Sequence, residues 1–302
     1  MTRERQLVRV TLDGALVNAL LAAGKLAAGV FGRSSALVAD AAHSLSDLAT
    51  DAAVVLFVRV SSRPPDEDHD FGHGKFETFA AFLVSLALFA VAAGLLRDGA
   101  LRILRACREP GALPSPAPVA VAAAAASVVV KELLYRSTRR VGERLHAPSV
   151  VANAWHHRSD ALSSVGALLG TGGAVLLGPR AAVLDPLAGI AVAVLVGVSA
   201  WRLAAPAIGE LLEKSLPKEV EDEITRLALA DPAIRSTHAL RTRRIGAGIA
   251  VEIHVRVDPE TTVRDSHETA HGVVDRVRAK FGPWAHVIVH VEPDGGRAPT
   301  PR

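Results

Sequence analysis

Six apolar stretches fill the first 208 residues of this 302-residue chain, at about 10–30, 36–58, 76–98, 117–135, 153–177 and 183–206. Each is close to the roughly 20 residues that a helix needs to cross bilayer hydrocarbon. Inside a bilayer no water can satisfy free backbone groups, so such runs must be helical. The fourth, PVAVAAAAASVVVKELLY, reads either as a low-complexity linker or as a span, and small side chains that let helices approach closely favour a span. Mean hydropathy is +0.28, while Lys, Arg, Asp and Glu concentrate after Leu212. This split predicts a membrane region over 1–208, a second domain over 209–293 and a disordered tail over 294–302.

The basic N-terminus ahead of the first apolar run admits a cleavable signal peptide, but further spans follow it. With both termini on the cytoplasmic side, the inner connections hold eleven Lys and Arg against six in the outer ones. That bias favours the N-in, C-in arrangement.

Two of the apolar stretches carry a histidine and an aspartate four residues apart: His43 with Asp47, and His156 with Asp160. On a helix, residues i and i+4 share one face. Two such pairs facing each other present two imidazoles and two carboxylates, a donor set that suits tetrahedral Zn2+. Its formal charge of about −2 offsets a dication that has lost its water, and neither partner is tolerable alone in an apolar medium. Ionisable residues inside membrane helices mark transport paths, so the pattern predicts passage of a divalent cation. Ligands must be deprotonated to bind zinc, so protons compete for the same atoms and can drive its release. Asp51 shares a face with Asp47 and reads as a pathway or supporting residue. Asp40 reads as a cation-steering group at the outer mouth or a helix cap, and His157, about 100° from His156, as a packing residue.

The second domain shows a different pattern. PKEVEDEITRLALA at 217–230 reads as an amphipathic helix, and HALRTRRIG with GIAVEIHVRVD as a hairpin turning near Gly246 and Gly248. A helix over 263–281 and a strand in AHVIVHVEP complete the order α-β-β-α-β. The expected fold is therefore an α-helical membrane bundle of six transmembrane helices followed by a small cytosolic α+β domain.

Other chemistries are poorly supplied. Cys107 is the only cysteine, which rules out an intramolecular disulfide and a thiolate cluster. A net charge of +3 with no basic stripe argues against nucleic acid. An intramembrane metallohydrolase would need a motif such as H-E-x-x-H within an apolar stretch, and none of the six contains one. A membrane-bound metal sensor would use histidines of the second domain but leave the two intramembrane pairs without a task.

SSALVADAAHSLSD, DHDFGHGKFET, HHRSDALSS and LLEKSLP together resemble the cation diffusion facilitator family, in particular its bacterial zinc/iron efflux branch, across almost the whole chain. The resemblance implies a six-span homodimer in the bacterial inner membrane that exchanges cytoplasmic divalent metal for protons, with a metallochaperone-like cytosolic domain. Zn2+ is then the expected cargo and a structural or regulatory ion as well, with Fe2+, Cd2+ and Co2+ as alternative substrates. It implies a transport site at His43, Asp47, His156 and Asp160. Aspartate is common where His43 stands; histidine there resembles the zinc-selective members and departs from the D-x-x-x-D of the manganese branch. The resemblance also implies a loop site at Asp66, His69 and His73, with Asp68 as an alternative to Asp66. A binuclear dimer-stabilising site is implied at His238, His254, His267, His290 and Glu292, where Glu292 replaces the usual aspartate and His271 is a further candidate. Lys75 and Glu213 resemble a charge pair that ties the third span to the cytosolic domain.

Overall fold

The computed structural model describes residues 3–61, 63–109, 113–144, 148–246 and 248–295. Within these, the side chains of 3–11, 50, 51, 53–56, 58, 59, 148, 149, 152, 153, 156 and 180 lie outside the description. Six long helices come first: α1 (Arg3–Phe31), α2 (Ser35–Ser61), α3 (Lys75–Arg108), α4 (Pro118–Arg144), α5 (Pro148–Leu176) and α6 (Leu184–Leu211). They coincide with the six expected stretches to within a residue where they are not longer. Four are long and apolar enough to cross a membrane by length and composition among the described residues: Leu12–Phe31, Lys75–Arg108, Pro118–Arg144 and Leu184–Leu211. The helices α2 and α5, which carry the His/Asp pairs, are not among these four.

The chain forms two compact units, Met1–Ala53 with Leu83–Leu203, and Val54–Phe82 with Ala204–Arg302. In the first, small residues set the packing. The alanine-rich stretch is a helix whose buried positions Ala120, Ala124, Ser127, Lys131, Leu134, Thr138 and Gly142 recur every three or four residues, with Tyr135 widening the stripe. That stripe is the face of a packed helix and rejects the linker reading. Leu37, Ala120 and Ala124 form a buried cluster with Ala28, Ala123 and Leu168 around it. The start of α2 is pinned by Asp185 at the start of α6: its carboxylate accepts Ser34 Oγ at 2.5 Å, Thr171 Oγ1 at 2.9 Å and the Ser35 amide at 2.6 Å. Ser34 Oγ in turn accepts the Leu37 amide at 3.1 Å. An anionic group there satisfies orphan donors at the positive end of the helix.

The end of α6 departs from the expected boundary. The helix runs through Pro206 to Leu211, since proline removes one hydrogen bond but does not forbid continuation where packing holds both flanks. It closes with the Lys214 amide on Gly209 O at 2.8 Å while Glu213 sits at φ 59°, the left-handed cap usually filled by glycine.

The C-terminal domain comprises α7 (Lys218–Leu229), β1 (Ser236–Ile245), β2 (Gly248–Val257), α8 (Val263–Phe281) and β3 (His286–Pro293), the expected order. The sheet order is β1-β2-β3, with β1 antiparallel and β3 parallel to the central β2. Val251, Ile253, Val255 and Val257 alternate along β2 and pack with Ile224, Ala228, Val273 and Val277 of the two helices. By the same alternation Glu252, His254 and Arg256 face the opposite side. Thr262 caps α8, accepting the Asp265 amide at 3.2 Å.

Candidate metal centres

The i, i+4 spacing sets His43 and Asp47 on one face of α2, and α5 brings Asp160 to them. Ligand atoms of these three residues all lie within 4.8 Å of one another. His156 stands one turn before Asp160 in α5, and its side chain lies outside the described residues, as does that of Asp51. His157 is buried and turned toward α1, with Nδ1 3.4 Å from Asn18 Nδ2. That contact fits the packing role expected of it.

Around this group lies a polar network that the sequence reading missed. Lys25 of α1 and Asp40 of α2 are 1% and 0% exposed, with Nζ 3.0 Å from Oδ2. Lys25 Nζ also donates to the Asp40 carbonyl at 3.1 Å and to Ser44 Oγ at 2.5 Å. Asp40 accepts Ser163 Oγ at 3.1 Å and Ser164 Oγ at 2.8 Å from α5. Lys131, 2% exposed on the buried stripe of α4, donates to Ser44 Oγ at 3.4 Å and to the Asp160 carbonyl at 3.3 Å. Asp40 is therefore neither a mouth residue nor a cap, but the counter-charge of a buried lysine. The network ties α1, α2, α4 and α5 together at the level of the His/Asp group, fixing the helices that carry it.

The second group occupies the loop between α2 and α3. Asp66, His69 and His73 also hold ligand atoms within 4.8 Å of one another. Asp66 Oδ1 accepts the His69 amide at 2.9 Å and the Asp68 amide at 3.2 Å, and Oδ2 lies 3.4 Å from His73 Nε2. Desolvation pushes the Asp66 carboxyl up, but these amide bonds and the two histidines outweigh it and hold it below 3.8. Asp68 lends its amide to Asp66 and stands outside the ligand group. The loop is seated on the β1–β2 turn: a Cβ at Gly246, where φ is +56°, would lie 2.6 Å from Gly74 O. Phe71 meets the His286 ring at 5.3 Å. Lys75 forms the expected ion pair with Glu213, and Arg243 Nε joins it 3.1 Å from Glu213 Oε2.

The third group follows from sheet register. His238 pairs with His254, and His254 with His290, so three imidazoles stand side by side across the sheet. Glu292, two residues beyond His290 on the same face, reaches back among them. Its carboxylate lies 2.8 Å from His254 Nδ1, 3.2 Å from His238 Nε2 and 3.6 Å from His290 Nε2. The His254 hydrogen bond, against some desolvation and with the charge of the three imidazoles, lowers the Glu292 carboxyl below its usual 4.5. The tight ligand set is His238, His254 and Glu292, and the His290 ring is 4.6 Å from that of His254. The extra methylene of Glu292 thus reaches two imidazoles rather than detaching the carboxylate from them. His267 is not brought to this group within one chain; on α8 it stacks with His271, ring centroids 4.4 Å apart.

Each group contains one buried imidazole nitrogen, His43 Nδ1, His73 Nδ1 and His238 Nδ1, that finds no hydrogen-bond partner among the described residues. A buried donor or acceptor left unmade costs about 1–3 kcal/mol. In the loop and sheet groups the opposite nitrogen, Nε2 of His73 and of His238, faces the carboxylate, and imidazole with carboxylate is a donor set for first-row divalent metals.

Comparison with known proteins agrees with this chemistry. The family model for the cation efflux transmembrane domain matches residues 12–212, and that for the cation efflux protein cytoplasmic domain matches 216–294. Metal tolerance protein C1 of Arabidopsis thaliana is 32% identical over 283 residues, covering 90% of this chain, which spans only 59% of that protein's length. The manganese efflux system protein MneP of Bacillus subtilis (strain 168) is 29% identical over 300 residues, 97% of this chain and 99% of that one. The cation-efflux pump FieF of Pectobacterium atrosepticum is 32% identical over 260 residues, 86% and 84% of the two chains. With matched models spanning nearly all of its length and carboxylate–imidazole clusters in both of its parts, the chain belongs to the cation diffusion facilitator family and is a metal-cation transporter rather than an enzyme.

Proposed function

We propose that this chain exports Zn2+ from the cytoplasm in exchange for protons, by alternating access around His43, Asp47, His156 and Asp160. The observation that carries the reading is the convergence of His43, Asp47 and Asp160 from two helices, with ligand atoms within 4.8 Å. All six long helices span the membrane in this reading, α2 and α5 with their polar faces turned inward, and both termini lie on the cytoplasmic side. Zinc accepts imidazole and carboxylate together, and the same atoms take protons when the metal leaves. Proton binding from the far side then makes export directional. Release does not require both carboxylates to stand empty and bare, because Lys131, which donates to the Asp160 carbonyl, supplies positive charge next to the site.

The loop group and the sheet group bind zinc as regulatory or structural ions at the cytoplasmic face. The protein acts as a homodimer, and a second copy is the source of the His267 imidazole for the sheet site. Fe2+, Cd2+ and Co2+ are weaker substrates on this reading.

Manganese is the competing cargo, favoured by the likeness to a manganese efflux protein over 97% of this chain. Manganese prefers an all-oxygen shell, and His43 speaks against it. Purified protein in vesicles, challenged with zinc, manganese, iron, cadmium and cobalt with and without a pH gradient, decides between them. The expected result is zinc flux that the gradient accelerates and Asp160→Ala abolishes. Manganese flux exceeding zinc flux, or zinc flux indifferent to Asp160→Ala, overturns the proposal.

A further inference from the structure

We propose that Tyr135, Arg139, Trp155 and Arg158 form a binding site for the phosphate of an anionic phospholipid, with an acyl chain running along α5. The inference rests on the reading of the chain as a membrane transporter, and not on which ion it carries.

The sequence places the cluster at a boundary. Along α4 the apolar stretch ends at about residue 135 and gives way to a stretch rich in arginine, and along α5 the apolar stretch begins at about residue 153. These two helices pack against each other, and the two ends meet where Tyr135 lies 5.4 Å from Trp155, ring centroid to ring centroid. Tryptophan and tyrosine are enriched at that depth, and arginine reaches toward headgroups from it.

Geometry then supplies an anion site. Arg139 Nη1 and Arg158 Nη1 both donate to the Tyr135 hydroxyl, at 2.7 and 3.2 Å. The Arg158 guanidinium carbon lies 4.8 Å from the Tyr135 ring centroid and 5.3 Å from that of Trp155; for Arg139 the distances are 5.9 and 5.7 Å. Two like charges thus converge on one neutral oxygen that is itself buried. Among the described residues the only carboxylate on either is Glu143, which holds Arg139 Nε at 2.7 Å. One positive charge is left over, together with guanidinium N–H donors beyond those that Tyr135 and Glu143 use, and phosphate is the anion that matches a guanidinium fork.

The surface beside the cluster identifies the phosphate's source. Trp155, Arg158, Leu162, Leu169 and Leu176 recur at spacings of three, four and seven along α5, so they share one face. Trp155 is 48% exposed and the three leucines 70, 70 and 85%. An apolar stripe headed by paired arginines fits a lipid, with tail on leucine and phosphate on guanidinium. Free phosphate would have no use for the stripe.

The test uses the full chain in mild detergent without added metal, and reads lipid adducts by native mass spectrometry. Dioleoylphosphatidylglycerol, dioleoylphosphatidylcholine and inorganic phosphate are the probes. Phosphatidylglycerol should bind at least tenfold more tightly than phosphatidylcholine, and Arg158→Gln should remove that preference while Arg102→Gln keeps it. Equal binding of the two lipids, a preference unchanged in folded Arg158→Gln, or displacement of phosphatidylglycerol by equimolar inorganic phosphate overturns the proposal. If Arg158→Gln does not fold, a photo-crosslinking phosphatidylglycerol on the wild-type chain decides. Labelling within 131–144 and 150–169 supports the site, and labelling elsewhere refutes it. Because binding is read without metal, a negative result leaves the transport reading intact, and absence of zinc flux leaves this one intact.

Discussion

Replacing Asp40 by asparagine should destabilise the helical bundle more than any surface charge change, because it strands Lys25. The ammonium group is 1% exposed and its only described carboxylate partner is Asp40 at 3.0 Å. Asparagine keeps the shape, and it can accept from one of Ser163 and Ser164 while its amide donates to the other's hydroxyl oxygen, so little packing is lost and the effect is electrostatic. Removing one partner of a buried pair costs about 3–5 kcal/mol. At about 2–4 °C per kcal/mol for a chain of this size, the midpoint should fall by roughly 6–20 °C. Lys25→Met should cost a similar amount by stranding the carboxylate. The double variant Lys25→Met/Asp40→Asn should recover much of the loss, since no uncompensated charge stays buried. Thermal unfolding of the four proteins in detergent gives the coupling directly. A coupling of at least about 2 kcal/mol is expected, and simply additive losses, or losses under about 1 kcal/mol in both single variants, would refute the argument.

Two further outcomes follow from the second unit. Gly246→Ala places a Cβ 2.6 Å from Gly74 O at φ +56°. It should destabilise the seat of the metal loop by about 1–3 kcal/mol, measured as faster amide exchange in residues 66–75. Glu292→Gln should cost up to about 1 kcal/mol at neutral pH. Because its carboxyl is held below 4.5 in the folded chain, that contribution is present above pH 4.5 and fades as pH falls through the lowered value. The stability curves of the metal-free proteins should therefore converge in acid; a gap that widens on acidification would contradict this assignment.

Much of this architecture is written in local pattern. The apolar runs mark the helices because length and composition alone decide them, and Gly246 and Gly248 mark the hairpin because strands need a turn there. The i, i+4 spacing of His43 with Asp47 foretells their place on one face of α2, to which Asp160 is brought, since a helix converts spacing into facing. The alternation in AVEIHVRV and VIVHVEP likewise foretells His254 beside His290. What the pattern hides is partnership at a distance. Lys25 in an apolar run looks like an expense without a reason until Asp40, on the next helix, is seen against it. Lys131 falls on the buried stripe of α4 at alanine-like spacing, and only the packed bundle reveals the Asp160 carbonyl waiting for it. Asp40 is misread for the same reason, as its donors Ser163 and Ser164 lie more than 120 residues on. His267, on α8 beside His271, does not join the sheet group within one chain, and no local pattern tells whether a second copy would bring it there.

Counting the zinc held by the full-length chain after its two peripheral clusters are disabled tests the transport site most directly. In a His73→Ala/His254→Ala background, equilibrium dialysis should find one tightly held zinc per chain, lost on adding Asp47→Ala or Asp160→Ala. Retention of that ion in both variants, with the protein folded, would contradict the account.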